Sequence, residues 1–366
     1  MFGFDPIVLL PVLGFAVGTG LGYAARASRF CTLGALERHW YAGDSTGLRT
    51  WALAVAVAIA ATQAMIVAGL IDLTGAFYLE PRLSLLGAVG GGLAFGLGMA
   101  LVGTCGFGAL IRLGGGSLRS LVVILVLAVA ALAAQRGLVG LARVHLVERF
   151  ALDLAPAADQ SLVGLLQAHG GGGGRALLAA LVSGAILAWV FRDGRYRRNG
   201  GQIAAGTAIG LLVAAGWLIT ATIRDHSLAL QPVQLESASF VVTYADALLA
   251  VATVTGTIPD YGVGLLFGVL FGAVLASRRR RDLRWEACDD AHELKRHMLG
   301  ALLMGVGGIL AGGCTIGQGV SAASTLAVSA PVVMLSIFAG ARVGLVWLME
   351  GSLRGLFTPF AGTPAE

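Results

Sequence analysis

The sequence predicts an all-α integral membrane protein: about nine transmembrane helices plus re-entrant or short helices, arranged as an inverted repeat. Three observations carry this. The 366 residues are 57% hydrophobic and only 12% charged, with mean hydropathy +0.84, where a soluble domain carries roughly twice that charged fraction. Apolar stretches of about 20 residues recur, each long enough for a hydrocarbon core of about 30 Å. Finally, G-L-G-M-A-L-V-G-T-C-G-F-G (Gly96 to Gly108) returns as G-V-G-G-I-L-A-G-G-C-T-I-G (Gly305 to Gly317).

In chain order the expected spans are 7–25, 51–71, 84–103, 118–141, 175–192, 202–222, 260–277, 298–313 and 330–349. Their loops differ in charge. Residues 26–50 hold four Arg, the stretch from Gly103 to Ser120 holds Arg112 and Arg119, 192–201 hold four Arg, and 277–297 hold seven Lys or Arg. The intervening loops, 72–83, 142–174, 223–239 and 257–261, hold four in total. Basic loops stay inside, so the N-terminus is expected outside and the C-terminus in the cytoplasm. The net charge of +5 therefore reads as topology rather than nucleic-acid binding. Met1 to Pro11 carry no positive n-region, so no cleaved signal peptide is expected.

Residues 240–256 do not fit as a crossing, because counting them would invert the basic run Arg278 to Arg281. They are expected to form a re-entrant or interfacial helix, with a first-half counterpart around Arg29 to Trp40. The 209-position offset between Cys105 and Cys314 also carries 51–71 onto 260–280. The loops around these copies have reversed charge, so the copies cross in opposite directions, as in many secondary transporters. The whole chain, 1–366, is expected to be one transporter domain, with repeats at about 7–141 and 202–349 joined by 142–201. Pro156 and the pentaglycine Gly170 to Gly174 suggest a flexible outer connection.

The chemistry should sit at the repeated motif. Glycine-broken helices expose backbone N–H groups, tolerated in a membrane only where they line a cavity. Half-helix N-termini attract an anion without a Lys or Arg. A neutral buried thiol is a soft, weak donor suited to a sulfur atom. Cys31, Cys105 and Cys314 are the candidate contacts, with Gly103, Thr104, Gly106, Gly312, Gly313, Thr315 and Gln318 as the lining, although Thr104, Thr315 and Gln318 would equally serve to satisfy freed backbone groups. Plain packing by buried glycine and cysteine is the alternative. Cys288, in R-W-E-A-C-D-D, reads as incidental. No metal site or cofactor is expected: the six His lie away from the cysteine motifs, and no Walker, dinucleotide or H-E-x-x-H pattern occurs.

R-F-C-T-L-G-A (Arg29 to Ala35), G-T-C-G-F-G and L-L-M-G-V-G-G-I-L-A-G-G-C-T-I-G-Q-G (Leu302 to Gly319) resemble the YeeE/YedE family of sulfur-compound transporters. The resemblance covers nearly the whole chain. It implies an hourglass-shaped inverted-repeat bundle in the inner membrane that takes thiosulfate into the cytoplasm. Cys31, Cys105 and Cys314 would be its functional cysteines, passing thiosulfate along by S–H···S hydrogen bonds. It also implies a TusA-like sulfurtransferase partner, which here would be separate. The 142–174 loop and the Cys288 segment match nothing in that pattern. The residues leave open another sulfur or selenium cargo, or a membrane-bound thiol-dependent sulfurtransferase.

The topology makes a direct prediction. A reporter fused at Asp282 is active on the cytoplasmic side and one at Gly172 on the outside; finding both on one side breaks the nine-span count.

Overall fold

The computed structural model describes residues 6–154, 157, 159–168, 174–226, 233–253, 260–287 and 290–351. Pro156, Gly170 to Gly173 and Cys288 lie outside these, and with them the flexible-connection and Cys288 readings. The architecture is helical: α1 (Pro6–Ser28), α2 (Thr32–Ala42), α3 (Thr46–Val67), α4 (Gly92–Val102), α5 (Gly106–Gly114), α6 (Leu118–Arg136), α7 (Leu138–Leu146), α8 (Leu162–Ala168), α9 (Arg175–Phe191), α10 (Gly194–Arg197), α11 (Gly200–His226), α12 (Val241–Ala252), α13 (Tyr261–Arg280), α14 (Ala291–Leu310) and α15 (Ser329–Glu350). Wide π-helical turns precede α4 at Gly87–Gly91 and α15 at Gly317–Ala322.

Among the described residues, seven stretches are long and apolar enough to cross a membrane: Val8–Ala42, Thr46–Val67, Gly87–Gly114, Leu118–Arg136, Gly200–Asp225, Tyr261–Arg280 and Ser329–Glu350. This is a multi-pass membrane protein. The first and third stretches are each broken internally, at Arg29–Cys31 and at Gly103–Cys105. The 240–256 stretch contains α12, whose 12 residues reach only about 18 Å at a rise of about 1.5 Å each.

Several boundaries depart from expectation for local reasons. The helix expected over 118–141 stops at Arg136, where Gly137 turns extended (φ −100°, ψ −163°) before α7. Helix α14 begins seven residues before the apolar run, because the Asp290 carboxylate accepts the His292 N–H at 2.8 Å and caps a charged first turn. Hydropathy locates the membrane and not the helix end. Two of the loops poor in basic residues also touch, pairing Arg82–Leu83 antiparallel with Leu152–Asp153.

Packing is governed by glycine. Along α1, Gly14, Gly18 and Gly22 face the carbonyls of Tyr261, Leu265 and Val269 on α13, so closely that a Cβ would overlap them. Along α13, Gly264, Gly268 and Gly272 face the carbonyls of Pro11, Phe15 and Thr19 in return. Spacing of four residues puts each trio on one face. The same device joins α4 to α15, through Gly96 on Ile337 and Gly340 on Leu93, and α11 to α3, through Gly210 on Ala54. Helix α14 packs on both α4 and α6, and α12 lies on α6.

Replacing Gly18 by Leu should therefore separate α1 from α13. The expected loss is at least about 1–3 kcal/mol, read as a lowered unfolding temperature or failure to elute as a single species in detergent. Gly184→Ala, in α9 with no neighbour within 4 Å, should be neutral or stabilising by up to about 1 kcal/mol.

Candidate functional site

Three helix breaks make the site. Helix α4 ends at Gly103 in the left-handed region (φ 78°), its amide returning to the carbonyls of Met99 and Ala100. Thr104 follows, and extended Cys105 opens α5. Helix α14 ends two residues before Gly312 (φ 67°) and Gly313 (φ 153°), and Cys314 opens the turn into Gly317–Ala322. Cys31 opens α2 after Arg29, whose own φ is 55°.

Each cysteine is followed three residues later by glycine: C-T-L-G at 31–34, C-G-F-G at 105–108 and C-T-I-G at 314–317. The Gly34 N–H donates to Cys31 Sγ at 3.5 Å and the Gly317 N–H to Cys314 Sγ at 3.3 Å, while the Gly108 amide faces the Cys105 sulfur. Each thiol thus occupies the capping position where a first-turn amide lacks a partner. Gly34, Gly108 and Gly317 were missed in the sequence as site residues; the threefold C-x-x-G pattern is the signal that identifies them.

The fold brings the three thiols together. Cys31, Cys314 and Thr315 all lie within electrostatic or hydrogen-bonding reach of the Cys105 thiol. Cys105 and Cys314 are buried and Cys31 is half-buried. Two tyrosines also join the site. Tyr244, near both Cys105 and Cys314, donates its hydroxyl to the Gly106 carbonyl at 3.0 Å, and Tyr78 lies near Cys314. Phe107 stacks on Phe240 with ring centroids 4.7 Å apart. Gln318 holds the broken helix: its amide donates to the carbonyls of Ala311 (3.2 Å) and Gly312 (3.0 Å). Thr32 and Thr104, both buried, have hydroxyls without a hydrogen-bond partner among the described residues.

Two polar cavities open near the thiols, both lined by residues of the basic loops. The larger, about 470 Å³, reaches Gly103 and Thr104 and includes Arg26, Arg112 and His297. The smaller, about 260 Å³, reaches Cys31 and includes Arg29, Arg38 and Gln202. Among the described residues, no three His, Cys, Asp or Glu side chains gather as a metal site.

The family of sulphur transport proteins matches residues 27–343, a span holding all three cysteines, the lining of both cavities except Arg26, and all but the outermost helical segments. The chain belongs to that family. It is also similar to the thiosulfate transporter TsuA of Escherichia coli (strain K12), with 26% identity over 325 residues, covering 84% of this chain and 85% of the relative. The thiols, turns and cavities described above therefore lie within the part of this sulfur transporter that defines the family.

The Tyr244 bond is open to test in the purified transporter. Tyr244→Phe removes the second donor from the Gly106 carbonyl, which keeps its bond within α5, an expected loss of about 0.5–1.5 kcal/mol, seen as a lowered unfolding temperature with unchanged elution in detergent.

Proposed function

We propose that this sulfur transporter takes up thiosulfate across the cytoplasmic membrane through a glycine-rich pathway on which Cys31, Cys105 and Cys314 make successive thiol contacts. The observation that carries the reading is the convergence of three C-x-x-G turns on one buried region. The similarity to a thiosulfate transporter supports the choice of cargo. With Arg29 and Arg38 in the cavity on the Cys31 side, an anion at the thiols meets the amide ends of two short helices, α2 and α5. Partial charges of this kind attract it while leaving it free to move on. A neutral S–H adds a soft donor to the terminal sulfur of the substrate. Gly103, Thr104, Gly106, Gly312, Gly313 and Thr315 line the way, and Gln318 keeps the outer break open by holding its carbonyls.

The proposal includes nine crossings, with the N-terminus outside and the C-terminus in the cytoplasm. Helices α9 and α14 would join the seven long apolar stretches. It also includes an inverted repeat in which α1 to α4 correspond to α11 to α14, α5 to the Gly317–Ala322 turn, and α6 to α15. Helix contacts that exchange under this correspondence support it. Helix α1 packs on α13 as α11 packs on α3; α4 packs on α15 as α14 packs on α6; and α12 packs on α6 as α2 packs on α15. A separate TusA-like sulfurtransferase would meet the basic, cytoplasmic face. One observation favours a second reading, sulfur transfer through an activated thiolate at Cys31. Arg29 and Arg38 line the cavity that Cys31 reaches, and a persulfide on Cys31 during turnover would identify that chemistry.

Uptake of labelled thiosulfate, in cells lacking other sulfate and thiosulfate carriers, is the decisive measurement. Cys105→Ala and Cys314→Ala should each reduce uptake at least about tenfold, the loss of roughly one specific contact, with normal amounts of protein in the membrane. Cys105→Ser should rescue poorly, since its oxygen is smaller and harder, and Cys288→Ala should be neutral. Parent-like uptake by either alanine variant removes the relay.

A further inference from the structure

Four arginines and three carboxylates line the larger cavity: Arg26, Arg112, Arg119 and Arg296 against Asp282, Glu286 and Glu293. Three of the arginines are paired. Arg26 meets Asp282 at 3.2 Å, while Arg119 and Arg296 share one oxygen of Glu293 at 2.7 and 3.8 Å. Arg112 has no carboxylate within ion-pair distance among the described residues. Its one placed bond is Nη2 to the Gly103 carbonyl at 2.7 Å, which leaves most of its five donors open. Thr104 also lines the cavity, but its buried hydroxyl is turned toward Gly108 on α5. An unpaired cation therefore adjoins the Cys105 break.

The corresponding break is built without a charge. Gly312 stands 209 positions after Gly103, and its carbonyl is held by the neutral amide of buried Gln318 at 3.0 Å. A carbonyl needs a donor and not a net charge, so the charge of Arg112 exceeds what capping requires.

We propose that this end of the cavity is a second anion site, an inner release subsite for the transported sulfur oxyanion. Arg112 supplies both its charge and the N–H donors left open beyond the Gly103 carbonyl. The assignment rests on thiosulfate being the cargo and on the basic loops facing the cytoplasm. An anion leaving the neutral thiols then meets a formal cation on the inner side only. The two breaks match in backbone but differ in charge, and an anion is drawn inward.

The test uses Arg112→Gln, which keeps a donor for the Gly103 carbonyl as Gln318 does at the other break, with Arg112→Met as a second variant. Transport is measured in right-side-out and inside-out vesicles. In Arg112→Gln the thiosulfate concentration that half-inhibits from the inner face should rise about tenfold, while half-saturation from the outer face moves less than about twofold. Unchanged inner-face inhibition, or equal shifts at both faces, overturns the subsite. On the purified proteins, thiosulfate and sulfate should raise the unfolding temperature of the parent more than that of either variant. Should the parent carry no thiosulfate, the cargo reading falls alone. Weaker anion protection in the variants then still upholds the site, and equal protection overturns it.

Discussion

A helix opened in the middle of an apolar bundle frees N–H and C=O groups where no water waits to take them, at a cost of several kcal/mol for each one left unmet. Much of this structure answers that constraint. The amides opened at Gly34 and Gly317 find cysteine sulfur, and the Gly108 amide faces it. The carbonyls opened at Gly103 and Gly312 find Arg112 and Gln318, and the Tyr244 hydroxyl adds a donor at the Gly106 carbonyl. Seen this way, the thiols have two jobs. They close first turns that lack a conventional serine or aspartate cap, and they place a soft donor on the same spot.

Glycine makes the breaks affordable by letting the surrounding helices close in. Where α1 meets α13, each helix presents three glycines to the other's carbonyls, so the backbones touch with no side chain between them. Lipid offers apolar side chains no reason to leave it, and close van der Waals contact is what holds helices together there. These contacts run between the first and second parts of the chain. Neither part packs alone, and the cysteines at 31, 105 and 314 reach one region because the two parts are interleaved.

The charged groups are distributed to suit this core. Ion pairs such as Arg119–Glu293 and Arg26–Asp282 lie at the rim of the larger cavity, where partial exposure lowers the cost of burying charge. Cys105 and Cys314 are instead surrounded by backbone amides, aromatic rings and hydroxyls, while Cys31 shares its cavity with Arg29 and Arg38. Formal charge is thus gathered at the cavities and kept from the two buried thiols.

The amino-acid sequence by itself determined the membrane bundle, most helix positions and the two glycine breaks, because hydropathy and glycine's backbone freedom act within a few residues. It also carried the C-x-x-G pattern at all three cysteines, legible as soon as an amide is seen to need a cap. The sequence was less informative where a helix outlasts its apolar run, as α14 does through Asp290, or stops inside one, as α6 does at Gly137. Only the tertiary structure decided that Cys31 lies with the other thiols, that Tyr244 reaches across 138 positions to Gly106, and that one break is capped by arginine and the other by glutamine. Those partners are chosen by which helices touch. Contact across an interleaved bundle depends on the fit of whole glycine faces, which no local stretch of sequence encodes.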